Sequence, residues 1–239
     1  MRILAQTLLV ANLLLLLVLL PTHSIAGGSE QNVCEVHADY YLGIEDYRET
    51  IRLHLEVIRE HPASALAHYH LGFALGMAGN IAGEIDEYRQ AAALGLTNWD
   101  LYLNLGLAQL ETGDVAAATN SLQRAVLLGD DHFEAHFNLA LADERHGQLA
   151  EAEEETLAAL VLNPRDPDAR NLLSVVFAKE GRSARACEVW KQLVRDVPVY
   201  EPAKANLRLL GSSQPANLGE EAAAIFRTPA AFAHSERAQ

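Results

Sequence analysis

The sequence predicts an all-α fold, a solenoid of stacked helix–turn–helix units, on three repeated spacings. Leu71-Gly72, Leu105-Gly106, Leu139-Ala140 and Leu173-Ser174 follow one another at 34 residues, and one step back falls on His37-Ala38. The second member is always small, as it must be where two helix backbones approach closely. Gly79, Gly113, Gly147 and Gly181 keep the same period, each where a glycine would end a helix. The first copy has Glu45 there, with Gly43 two residues earlier. In the following helix one column reads Thr50, Glu84, Ala118, Ala152, Ala186 and another reads Val57, Ala91, Ala125, Ala159, Leu193. Two antiparallel helices cannot bury their apolar faces alone, so stacked copies make one continuous core.

The elements then follow in chain order. Arg2, a leucine-rich run from Leu8 to Leu20, Pro21 and the small-residue stretch Ser24-Ile25-Ala26 give residues 1–26 the layout of a cleaved secretory signal peptide. The alternative is an uncleaved anchor over residues 3–20, long enough to span a bilayer but interrupted by Gln6, Thr7 and Asn12. Asn32-Val33 before Cys34 is not a lipoprotein cleavage box. Five copies tile residues 31–64, 65–98, 99–132, 133–166 and 167–200. Pro62, Pro164 and Pro198 end second helices, with Leu96 and Asp130 in the same column of the second and third copies. Residues 201–211 read as one more first-type helix, with Ala203, Leu207 and Leu210 on one side, so the repeat domain spans 31–211. Residues 212–239 have the Ala, Ser, Pro and Glu content of a mobile C-terminal tail, within which Glu220 to Phe226 has the composition of a short helix.

These columns resemble the tetratricopeptide repeat family, a 34-residue helix–turn–helix repeat with a W-x2-L-G-x2-Y, A-x3-F and P signature. The second copy carries His68, Leu71, Gly72, Leu75, Tyr88 and Ala91 at those places, and the fifth carries Leu173, Ser174, Phe177, Ala186, Trp190 and Pro198. The resemblance covers residues 31–200; Gln109, Asp143 and Thr156 depart from it at places that are normally aromatic. It implies a right-handed α-solenoid of five units with a C-terminal capping helix.

It also implies a concave groove, lined by the first helix of each copy, that receives partner segments. By register the groove residues are Tyr69, Phe73 and Met77, then Leu103, Leu107 and Leu110, then Phe137 and Leu141, then Asn171 and Val175. The first copy places Glu35 and Asp39 there, and Asp100, Glu111, Glu134 and Glu144 lie along the row. An apolar groove edged with acids suits an amphipathic helix or an extended apolar segment of another protein. Ile225-Phe226 of the tail is a second possible occupant. A carboxylate clamp of the kind some family members carry would need Lys179, Arg145 and Asn171, and is not expected. The Asn104, Asn138 and Asn206 column is read as structural.

Composition and motifs exclude several functions. A formal net charge of −14 and the lack of any Lys/Arg cluster argue against nucleic acid or an anionic membrane as partner. A membrane is expected only if the N-terminal segment stays uncleaved. Cys34 and Cys187 would lie at opposite ends of the stack, too far apart for a disulfide. No phosphate loop, nucleophile elbow or catalytic Cys–His spacing occurs. His68 and His136 sit in the bulky first-helix column, and His68 and His70, two apart, do not share a face. Only Asp131, His132 and His136 have a spacing that suggests zinc, and the Glu153–Glu155 run reads as a solvated face. No enzyme activity, cofactor or metal is expected. The expectation is an exported scaffold or adaptor, in a bacterial periplasm, that assembles or tethers envelope proteins; the alternative is an accessory subunit presenting substrate to an envelope enzyme.

Overall fold

The structure is a computed structural model that describes residues 36–212, and within them the chain forms eleven α-helices and no strand. The helices are α1 (Val36–Gly43), α2 (Tyr47–Glu60), α3 (Ala65–Met77), α4 (Ile81–Ala93), α5 (Trp99–Glu111), α6 (Val115–Leu128), α7 (Phe133–His146), α8 (Leu149–Leu162), α9 (Pro167–Lys179), α10 (Ser183–Asp196) and α11 (Glu201–Ser212). Each packs on the next, and α1, α3, α5, α7 and α9 also touch in sequence. This is the all-α solenoid that the 34-residue columns predict. None of these helices is long and apolar enough to cross a membrane. The expected signal peptide, Cys34 and the tail with Ile225-Phe226 lie outside the described residues.

The small column is where the two helices of a unit meet. A methyl group added at Gly72 would lie 2.8 Å from Tyr88 Cδ1, and one at Gly106 would lie 2.6 Å from Leu122 Cγ. Both distances are well inside van der Waals contact, so glycine lets α3 press on α4 and α5 on α6. Ala38, Ala140 and Ser174, at the same place in the other copies, are fully buried. Facing them is a second-helix column of His54, Tyr88, Leu122, Thr156 and Trp190, every one with zero exposure. Thr156 fits this column because its hydroxyl donates to the Ala152 carbonyl at 2.6 Å, so the buried oxygen is satisfied.

Turn chemistry repeats as well. Gly79, Gly113, Gly147 and Gly181 all take left-handed backbone, with φ between 78° and 84°. The arrangement ends each first helix as a Schellman turn does, for example with Asn80 N–H donating to the Leu75 carbonyl at 2.8 Å. Asp46, Asn80 and Asp114 then cap the following helix, their side chains accepting from the backbone N–H of Glu49, Gly83 and Ala117. Glu45 keeps the same turn without glycine, at φ 61°. At the far end α11 lays Ala203 and Asn206 against α9 and α10, joining the cluster of Trp190 and Leu193 and covering the last unit.

Two outcomes follow for stability in denaturant. Replacing Glu45→Gly relieves left-handed strain and raises stability by about 0.5–1 kcal/mol net of the extra chain entropy. Gly106→Val forces α5 off α6 and lowers stability by about 2–4 kcal/mol, an overpacking cost at the upper end of the usual range.

Candidate functional site

The ten expected groove residues occupy equivalent faces of α3, α5, α7 and α9, but their exposure falls along the array. Tyr69, Phe73 and Met77, one helical turn apart on α3, are half-buried. Leu103, Leu107 and Leu110 on α5 are each 6% exposed and belong to one cluster with Leu122 of α6 and Leu139 of α7. Phe137 and Leu141 on α7 have no exposure and cluster with Ala152 of α8 and Leu172 of α9. Asn171 and Val175 on α9 are likewise fully buried. Among these ten positions, the accessible apolar surface is on α3.

Several of these residues also hold one repeat to the next. The Tyr69 hydroxyl donates to Asp100 Oδ2 at 2.9 Å and accepts from Asn104 Nδ2 at 3.2 Å, joining α3 to α5. Asn171 Oδ1 accepts from Trp190 Nε1 at 2.8 Å and from Asn206 Nδ2 at 3.1 Å, joining α9 to α10 and α11. Asn104 and Asn206 of the 34-residue asparagine column thus bridge successive first helices, while Asn138 donates to the Glu134 carbonyl within α7. A buried amide oxygen that already accepts two hydrogen bonds positions its helix and has no lone pair left for a ligand. Tyr200 repeats the Tyr69 device, its hydroxyl donating to Asp168 Oδ1 at 2.5 Å, with burial holding its pKa above the ordinary phenol value.

A tetratricopeptide repeat family model matches residues 36–96, 103–161 and 143–201, well over half of the chain. The chain belongs to the tetratricopeptide repeat family. Among solved structures it is similar to YrrB, a tetratricopeptide repeat protein described as having an unusual peptide-binding site. Identity there is 22% over 70% of this chain and 87% of that one, with a TM-score of 0.68. It is similar also to MamA, at 21% identity over 72% of this chain and 99% of that one, TM-score 0.64. MamA residues 41 to the end from Desulfovibrio magneticus give 18% identity over 68% and 96%, TM-score 0.61. Among curated proteins none matches the sequence.

Within this tetratricopeptide array two of the three groups of a carboxylate clamp, Lys179 and Asn171, are engaged elsewhere. Lys179 Nζ pairs with Glu144 Oε1, a carboxylate with 3% residue exposure, tying α9 to α7. Asn171 is held by Trp190 and Asn206, and Arg145 is exposed on the last turn of α7. Asp143, at a place the repeat signature gives to an aromatic, is 1% exposed. Burial, with Glu155 and Glu151 adding repulsion, pushes its carboxyl up to about 7.

The first-helix histidines are polar clamps rather than packing alone. His68 Nδ1 lies 2.6 Å from Glu87 Oε2 and its Nε2 lies 3.3 Å from the Pro62 carbonyl. Both partners accept, so the ring bonds them as an imidazolium, and Glu87 holds its pKa above the ordinary histidine value. His136 repeats this geometry with Glu155 at 2.6 Å and the Asp130 carbonyl at 2.9 Å. That commits His136 away from His132, which stacks on Trp99 at 3.8 Å; the Asp131, His132 and His136 spacing does not produce a metal site. His70, separated from His68 as the helical spacing requires, instead faces Asp39 at 2.9 Å.

Sequence reasoning misses an exposed apolar ridge on the second helices. Leu127 and Val161, a repeat apart, are 74% and 79% exposed, and Leu128, Leu157 and Leu162 flank them on α6 and α8. The signal is a 34-residue apolar pair. It is masked because apolar second-helix positions read as core.

Asp143 sets a pH dependence. Its folded pKa is raised, so the folded state keeps the proton where the unfolded chain has lost it, and stability falls as pH rises from about 4 to about 7. Asp143→Asn removes that loss: chemical denaturation should find the variant more stable than wild type above pH 7, with the gap closing toward pH 4.

Proposed function

We propose that this chain is an exported scaffold that holds an apolar or amphipathic segment of another envelope protein on the α3 end of its first-helix row, at Tyr69, Phe73 and Met77. Membership in a family whose repeats receive partner segments makes it a protein-interaction scaffold. The observation that carries the finer reading is the stripe itself. Tyr69, Phe73 and Met77 recur at one-turn spacing on α3 and retain accessible surface, while the same face continues into the apolar α5 cluster. A groove-bound helix would place its own anchors at matching intervals, and Glu111 and Glu134 at the exposed rim would favour a partner with basic flanks. The peptide binding described for YrrB is the kind of interaction meant here.

Export rests on the leader-like pattern of residues 1–26 and on the small residues before Gly27. Assembly or tethering fits the interaction scaffold, since nothing in the motifs supplies a nucleophile, phosphate loop or general base of its own.

Two measurements test this. Affinity capture from envelope extract should recover a partner with wild type and lose it with Met77→Glu while helical circular dichroism stays unchanged; equal recovery with both proteins rejects the groove. Intact mass of the protein from a periplasmic fraction should begin at Gly27. A mass beginning at Met1 in a soluble cytosolic fraction rejects export.

A further inference from the structure

Three side chains from three successive helices meet at the junction of the first and second repeats. Asp39 comes from α1, His54 from α2 and His70 from α3. One ligand atom of each lies within 4.8 Å of the other two. Asp39 Oδ1 is 2.9 Å from His70 Nδ1 and 3.7 Å from His54 Nε2, and the two imidazoles meet edge to face at 5.4 Å between centroids.

The orientation of His54 is the telling feature. It has no exposure, and its Nδ1 lies 2.9 Å from the Thr50 carbonyl oxygen. A carbonyl only accepts, so Nδ1 carries a hydrogen and Nε2 is the ring nitrogen that faces the Asp39 carboxylate. Metal-bound histidines are held in this manner, the second ring nitrogen donating to a backbone carbonyl and so setting the tautomer. His70 Nδ1, 2.9 Å from Asp39 Oδ1, supplies the third ligand atom of the cluster. Bonds of about 2.0 Å in tetrahedral geometry place ligand atoms about 3.3 Å apart, and two of the separations here straddle that distance.

We infer that Asp39, His54 and His70 form a binding site for a divalent first-row transition-metal ion, represented by Zn2+, that ties α1 to α2 and α3. Two imidazoles and one carboxylate suit such an ion and not Mg2+, which demands oxygen ligands. Three protein ligands leave a coordination position for water or a partner's side chain. Asp39, 40% exposed at its side chain, gives the ion a way in, and the net charge of −14 draws cations toward the protein. The site would clip the short α1 onto the array at the acidic end of the first-helix row.

Zn2+ alone, added to EDTA-treated full-length chain and followed by calorimetry and metal analysis after desalting, tests this. The expected result is one tightly held ion per chain, not displaced by Mg2+, with hydrogen exchange slowed over residues 36–60. Asp39→Asn and His70→Gln should each weaken binding by about tenfold or more. His132→Gln, at the Trp99 stack, should leave it unchanged. Asp39→Asn is isosteric and half-exposed, so it stays informative even if a histidine variant loses helical circular dichroism. Substoichiometric binding, or Zn2+ held equally by wild type and Asp39→Asn, overturns the site.

Discussion

Everything in this array hangs on the close approach of the two helices within each unit. Where Gly72 and Gly106 sit, no side-chain atom can be added without entering Tyr88 or Leu122. Dispersion contacts fall off steeply with separation, so this approach is what lets the large second-helix residues fill the interior at native density. Trp190, Tyr88 and Leu122 are among the largest fully buried side chains, and each stands across from the small column. Their angle and depth set how each pair stacks on the next, and hence what the first-helix row presents.

The copies solve one packing problem with unequal chemistry. The second and fourth copies clamp their first helices with a His–Glu pair, the fifth with Arg170 and Asp196. The first copy replaces the left-handed glycine with Glu45 and puts His54 where the second has Tyr88 and the fifth Trp190. A histidine in that column keeps the volume of a core residue while adding two polar atoms, each of which must be satisfied. One faces Thr50 and the other faces Asp39, so the least regular copy is also the one with the most unusual chemistry.

Asp143 is the opposite case. A carboxylate in an aromatic place is tolerated beside Glu151 and Glu155, and it weakens the fold at neutral pH. A stack in which each unit touches only its neighbours can absorb such local weakness, because the remaining interfaces are unaffected. Bridges such as Asn171 with Trp190 and Asn206, or Tyr69 with Asp100, supply the register that apolar contacts, being non-directional, leave loose.

The period, the helix pairs, their turns and the small column are all legible along the chain, because they follow from local rules: helical spacing, left-handed glycine and the absence of room for a side chain. The first-helix row is legible too, since register is arithmetic once the period is known. How much of that row stays accessible is a matter of packing between units. Tyr69, Phe73 and Met77 keep surface while Phe137, Leu141 and Val175 do not, although all share one face, because exposure depends on what neighbouring elements cover. Packing likewise brings His70 to Asp39 and His54 and keeps His136 from His132. Those meetings are set by the geometry between helices, and no spacing within one helix encodes them.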